Sequence, residues 1–318
     1  MKSGKLFVLS AVLLVLGLVV SLVGFALLDF DVTNFDTEPP YIKREMTVSA
    51  DLKKIVLDEY KANINIEKSE DAKIHISYYE NLNNTYSIVE TDGVLTMEKQ
   101  RTAENFADKF LTLSVSTPTV TVALPEKFSG EMHIDLTDGN INAKSANMAC
   151  LAADTQNGDV FINGCTFSGH LDLRSERGGI RIYETKVATN CKLKCKSGEL
   201  FLWSLDAKDV YANTRGGLIT LAHVKADTIY AEGTSKDIIT SCIAFETDAH
   251  LITAGGDIRG SVVGTEGDFT YHCSAPEGNC NLDDSTSHGA KNLHAKTEQG
   301  KINITLMLPE AQVSENAD

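Results

Sequence analysis

The chain has 318 residues, 42% hydrophobic and 23% charged, with 23 Gly and 6 Pro, which excludes a disordered polar polypeptide and a collagen-like one. Its 44 Asp and Glu outweigh 29 Lys and Arg, for a formal net charge of −15. So acidic a chain lacks the basic face that nucleic acid or anionic lipid headgroups require, and no nucleic-acid partner is expected.

The first element is apolar. Residues 6–28, LFVLSAVLLVLGLVVSLVGFALL, contain no charge. As a helix they span roughly 34 Å at about 1.5 Å per residue, enough to cross a hydrocarbon core of about 30 Å. Lys2 and Lys5 precede the segment and Asp29 and Asp31 follow it. The positive-inside rule therefore predicts a single-pass cell-membrane anchor, with residues 1–5 cytoplasmic and the rest extracellular. The competing reading is a cleavable signal peptide, with Gly24 and Ala26 at the −3 and −1 positions of a cut after Ala26. The apolar run is longer than the usual signal core of about 7–15 residues, so the uncleaved anchor is preferred. There is no Cys near the segment for a lipobox. The C-terminal LPEAQVSENAD offers neither a hydrophobic tail nor LPxTG. Residues 29–45, with Pro39-Pro40, read as a stalk.

Residues 46–135 read as an N-terminal β cap, with strands in IVLDEY, ANINIEKS, AKIHISYY, YSIVETDGVLTMEK and TVTVALP. A looser coil is expected to begin at Thr91-Asp92-Gly93-Val94, and a short helical turn at 105–110.

From residue 136 to 308 a phrase recurs. It reads DGNI, NGDV, RGGI, SGEL, RGGL, SKDI, GGDI, EGNC and QGKI, with its second position at 139, 158, 178, 198, 216, 236, 256, 278 and 300. Gly with Asn or Asp beside it reads as a corner. Beyond each corner the residues alternate with period two, and an apolar file of Ile141, Val160, Ile180, Leu200, Leu218, Ile238, Ile258, Cys280 and Ile302 is predicted to face inward. About twenty residues per repeat are too few for a helical crossover. The predicted fold is therefore all-β: a parallel β-solenoid (β-helix) of about nine coils, each 18–22 residues, capped at its ends. Residues 309–318 read as a frayed tail.

These segments together resemble a bacterial family of membrane-anchored "putative adhesin" β-solenoids, an uncharacterised domain common in Gram-positive bacteria. The resemblance runs from about Val48 to Leu308, through DEYKANINIEKSEDAKIHISYY, YSIVETDGVLTMEK, TVTVALPEKFSG and the repeated xG[DNEG]I corners. It implies a tethered surface module without established catalytic residues. Some relatives are encoded beside cell-envelope stress systems, which implies the alternative of a regulatory accessory acting through a membrane partner.

Chemistry is sparse. GxSxG, HExxH, P-loop and dinucleotide fingerprints are absent, so no enzyme and no cofactor are expected. A carbohydrate-cleaving β-helix would need an acidic pair, and Asp283-Asp284 is the only adjacent one in the coils. His170, His250 and His272 fall on strands and read as surface side chains. The seven Cys leave at least one unpaired within the chain; Cys273 and Cys280, across one corner, are the candidate disulfide, and most of the others read as buried thiols. Cys273, Cys280, His288 and His294 are zinc-ligand types, but C-x6-C-x7-H-x5-H fits no common module, so no metal is assigned. The corner acids Asp159, Glu199, Asp237 and Asp257 read as hydrogen-bonding groups rather than a Ca2+ ladder, since the calcium nonapeptide is missing.

One face stands out. Counting from each corner, the residues predicted to point outward are Phe161, Tyr183, Phe201, Trp203, Ile219, Leu221 and Ile239. A contiguous apolar patch on a solenoid marks a binding surface or one covered by the chain or a second copy. Aromatics on a flat sheet suit sugar rings or a protein, so a cell-wall polymer or an envelope protein is the expected partner.

Overall fold

The computed structural model describes residues 2–27, 29–30, 39–101, 117–282 and 288–308. The helical turn expected at 105–110, Asp283-Asp284, the tail at 309–318 and most of the stalk lie outside these residues. Among the described residues one α-helix, Lys2–Leu27, precedes an all-β body of 23 strands, interrupted by a single 3-10 turn at Glu266–Asp268. The helix is long and apolar enough to cross a membrane, and from Ser10 to Leu27 none of its side chains is buried by the rest of the protein.

The body is β-solenoid-like because its strands pair in parallel at intervals of one repeat. Ile64, Ile141, Val160, Ile180, Leu200, Ile219, Ile238, Ile258 and Ile302 pair in succession and form one vertical file. A second file runs through Leu57, Ile134, Ala153, Leu173, Leu193, Ala212, Ala231, Leu251 and Ala295. Every residue in both files is at most 4% exposed. Each fully buried Leu or Ile contributes about 1.5–3 kcal/mol, so the stacked files are the main source of cohesion.

The apolar file differs from expectation at two places: Ile302 rather than Cys280 stands on Ile258, and one corner is shifted. Ile219, not Leu218, stands on Leu200. The sequence offers two adjacent glycines there, and the corner column takes Gly217 rather than Gly216. The column itself has another cause than the one expected. Only Gly139 in it has a left-handed φ. The column needs glycine because neighbouring coils touch: a Cβ on Gly158, Gly178, Gly198 or Gly217 would lie 1.8–1.9 Å from the carbonyl oxygen of the glycine one coil before.

Those carbonyls are also hydrogen-bonded from inside. Thr155, Ser175, Cys195, Thr214, Gly233, Thr253 and Thr297 form a third inward file. The hydroxyls of Thr155, Ser175, Thr214, Thr253 and Thr297 donate to the corner carbonyls of Gly139, Gly158, Gly198, Lys236 and Gly256 at 2.7–3.3 Å. Buried hydroxyls are costly unless paired, and here each is paired.

A different corner lies between the first file and the second, inside the long strands Ile180–Cys195, Leu200–Thr214 and Ile238–Thr253 as well as after the short ones. Ser145, Gly164, Glu184, Ser204, His223 and Cys242 all have φ between 47° and 63°. For a non-glycine residue this conformation costs on the order of 1–2 kcal/mol, and the backbone bonds between coils, such as Ser145 N–H to Asn163 O at 2.9 Å, hold it in place.

Both ends depart from sequential winding. Lys54–Lys61 lies between Val94–Arg101 and Glu131–Asp138, parallel to both. Part of the segment expected to be a cap is thus wound into the solenoid. Antiparallel strands cover that end: Ile42–Val48 on Ile74–Glu80, and Asn84–Thr91 on Val94–Arg101. The corner expected at Asp92-Gly93 is the turn of this last hairpin, with φ of 54° and 80°, the signs of a type I′ turn. At the C-terminal end Lys291–Thr297 lies between Ile238–Thr253 and Phe269–Ser274. The chain runs out to the edge and then returns to fill the gap it left.

Candidate functional site

The aromatic face is built by register. Asn142, Phe161, Arg181, Phe201, Thr220 and Ile239 form one outward column. Lys144, Asn163, Tyr183, Trp203, Ala222 and Ser241 form the next. Tyr183 joins the two columns: its ring is 5.4 Å from Phe161, 5.4 Å from Phe201 and 6.1 Å from Trp203. The first two contacts are tilted and the third is edge-on, geometries that suit the ring quadrupole. Trp203 is 39% exposed and the other three rings are half-buried.

Two expected members of the face are not on it. Ile219 and Leu221 are 0% exposed and belong to the core. The shift of the corner from Gly216 to Gly217 exchanges inward for outward positions in that coil. The outward residues there are Thr220 and Ala222. Ile239 is outward and half-buried, but Thr220 separates it from Phe201.

Charge rims the rings. Lys144 Nζ stands 5.9 Å from the centre of Phe161. Arg181, between Phe161 and Phe201 in the column, is held by Glu199 at 2.6 Å and Asp159 at 3.2 Å. Those carboxylates push its guanidinium further up, Glu199 foremost. Asp159 also accepts the Gly179 N–H at 2.8 Å, Asp237 the Asp257 N–H at 3.0 Å, and Asp257 the Lys301 N–H at 2.8 Å. Three of the four corner acids thus bind backbone, and the fourth, Glu199, binds Arg181.

Beyond Trp203 the face turns the left-handed corner into a groove of about 980 Å³. Trp203, Leu205, Met307 and Leu308 supply apolar wall; Glu184, Asp206, His223 and Lys225 supply polar groups. No residue-type pattern marks this groove, because its rim is made by backbone conformation at positions of mixed type.

The cysteines divide as expected. Cys273 and Cys280 form a disulfide, with Cα atoms 6.6 Å apart, and so are unavailable as thiolate ligands beside His288 and His294. Cys150, Cys165, Cys191 and Cys195 are buried free thiols and Cys242 is partly exposed. Burial pushes the Cys191 thiol far up and the Cys195 thiol to about 12. In the folded protein a thiol reagent is therefore expected to label Cys242 first and to reach Cys165, Cys191 and Cys195 only on unfolding. Prompt labelling of any of these three under native conditions, read by mass spectrometry, would contradict the closed core.

No curated protein matches the chain. Among solved structures it is similar to a putative adhesin from Parabacteroides merdae, at 17% identity over 83% of this chain and 96% of that one, TM-score 0.46. A putative lipid binding protein from Parabacteroides distasonis shares 15% identity over 83% and 96%, TM-score 0.43. A putative adhesin from Bacteroides fragilis shares 15% over 84% and 97%, TM-score 0.36. The profile of an uncharacterised family, Toastrack DUF4097, matches residues 52–304, most of the chain, and the protein belongs to that family.

Proposed function

We propose that this protein is a membrane-tethered, extracytoplasmic binding module that holds a cell-wall glycan against its aromatic face, without catalysis. The observation that carries this reading is the four-ring cluster of Phe161, Tyr183, Phe201 and Trp203 on an outward sheet face that continues into a groove. Rings tilted against one another on an outward sheet face offer apolar area to the C–H faces of successive sugar rings. The rim groups Glu184, Asp206, His223 and Lys225 offer hydrogen bonds to hydroxyls. The corner acids support binding over bond cleavage, since Asp159, Asp237 and Asp257 are engaged by backbone N–H groups.

The tether is the helix Lys2–Leu27, with Lys2 and Lys5 on the cytoplasmic side and the solenoid outside. Read as about nine coils spaced roughly 4.8 Å apart, the winding is a rod on the order of 43 Å long that carries the face away from the bilayer.

Trp203 is the only Trp in the chain, so its emission reports on the face directly. Titration of the full chain in detergent micelles with soluble peptidoglycan fragments is expected to shift Trp203 emission to the blue in a saturable way. Phe161→Ser with Phe201→Ser is expected to weaken the interaction at least tenfold, about 1.4 kcal/mol, while leaving the circular dichroism unchanged. Unchanged emission, together with background retention on isolated cell walls, would overturn the reading. A shift that depends on protein concentration alone would assign the face to a second copy instead.

A further inference from the structure

On the opposite run of strands, a second outward column passes through Tyr211, Tyr230, His250, His294 and His272. The last three are 44 and 22 residues apart in sequence, and the returning strand Lys291–Thr297 places His294 between the other two. Their imidazoles are stacked. His250 and His294 have centroids 4.3 Å apart and planes at 3°; His272 and His294 are 4.3 Å apart at 15°. Asp248 stands two residues before His250, on the same face. One oxygen of its carboxylate and a ring nitrogen from each of His250 and His294 all lie within 4.8 Å of one another. Ring stacking alone accounts for the imidazole spacing; it does not account for a carboxylate gathered with them.

We propose that Asp248, His250 and His294 form a binding site for a borderline divalent cation of the Zn2+ or Ni2+ type, with His272 as the adjoining imidazole. Two imidazoles and a carboxylate are a ligand set that such cations accept and that Mg2+ or Ca2+ does not favour. With metal–nitrogen distances of about 2.1 Å, ligand atoms across a tetrahedron stand roughly 3.4 Å apart, so closure draws the ligand atoms together by up to about 1.4 Å and turns the two imidazoles out of their parallel stack until both nitrogen lone pairs converge. All three side chains are half-buried on the outer surface, where rotation about the side-chain bonds supplies that movement without disturbing the core.

The surroundings suit the task. Asn292 Nδ2 donates to Asp248 Oδ1 at 2.8 Å, orienting the carboxylate as outer groups orient metal ligands elsewhere. Tyr230 closes the other end of the column, 5.7 Å from His250. A cation here would tie the strand Ile238–Thr253 to the returning strand Lys291–Thr297, the pairing that closes the non-sequential end of the solenoid.

The test is titration calorimetry of the full chain in detergent with Ni2+ alone, in a Cys242→Ser background that removes the one partly exposed thiol. One equivalent is expected to bind. His250→Gln and His294→Gln are each expected to weaken binding at least tenfold, and His133→Gln, on a distant outward position, to leave it unchanged. Saturating Ni2+ is expected to raise Tm in the parent and not in His250→Gln/His294→Gln, through selective binding to the folded state. Circular dichroism of the double variant confirms that it is folded. Equal Ni2+ affinity in parent and double variant would overturn the proposal, as would the absence of any binding by the parent.

Discussion

Gly217→Ala is expected to destabilise the solenoid by about 3 kcal/mol or more, while Gly216→Ala, one residue away, is expected to be neutral or to stabilise it by up to about 1 kcal/mol. The contrast follows from where each Cβ would go. At Gly217 it would lie 1.8 Å from the carbonyl oxygen and 2.4 Å from the carbonyl carbon of Gly198. Both are backbone atoms, fixed by the coil below, and that carbonyl also receives the Thr214 hydroxyl at 2.9 Å. At Gly216 the nearest atom is Ser197 Cα at 3.4 Å, an ordinary contact. Neither glycine has a left-handed φ, so an alanine is not strained at either place by its own backbone. At position 216 the remaining effect is the loss of freedom in the unfolded chain, which favours the variant. For a body of this size the predicted loss at 217 lowers Tm by roughly 6–12 °C. Thermal melts of the two variants by circular dichroism decide the matter. If Gly216→Ala were the damaging change, the corner column would pass through 216 and Ile219 and Leu221 would return to the outer face.

That pair of glycines also shows where the sequence was legible and where it was not. The core files could be read because a solenoid repeats one inward position at every coil: Ile141, Val160, Ile180 and Leu200 are aliphatic whatever happens elsewhere. At Arg215-Gly216-Gly217-Leu218 both phases fit the corner phrase, and the choice rests on contact with the coil below, which spacing along one chain does not encode. Two members of the proposed face were misplaced for that reason, whereas Phe161, Tyr183, Phe201 and Trp203, in coils with an unambiguous corner, were placed outward. The hydroxyl file of Thr155, Ser175, Thr214, Thr253 and Thr297 becomes visible only once strands are in register. The left-handed corner carries Ser, Gly, Glu, Ser, His and Cys, with no shared chemistry to recognise. The exchange of strand order at the C-terminal end left no trace either. The corner phrases at 256, 278 and 300 are evenly spaced, yet Ile258 pairs with Ile302 and Cys280 reaches Ile302 only through an isolated bridge. The histidine column depends on that exchange, since it sets His294 between His250 and His272.

At the N-terminal end the largest effect is expected from a buried charge. Glu59 and Lys99 pair at 2.8 Å with both side chains 2% exposed. Tyr86, directly opposite Lys99 in the hairpin, donates its hydroxyl to the other carboxylate oxygen of Glu59. Glu59 also accepts the Lys61 N–H at 3.0 Å, and Lys99 donates to the Lys61 carbonyl at 3.1 Å. Burial, reinforced by Glu59, pushes the Tyr86 phenol far above its usual range, so it remains a donor. The network is closed, and removing one charge leaves the other in a dry site. Lys99→Met is therefore expected to cost about 3–5 kcal/mol. Glu59→Gln, which strands the ammonium, is expected to cost a similar amount, about 3 kcal/mol or more. The double variant is expected to be more stable than either single one, because a neutral pair of similar volume has no uncompensated charge to bury. Denaturant unfolding of the four proteins gives the coupling energy. Additive losses would mean that water reaches the pair, and that the antiparallel strands Asn84–Thr91 and Val94–Arg101 do not seal this end of the solenoid as their side chains imply.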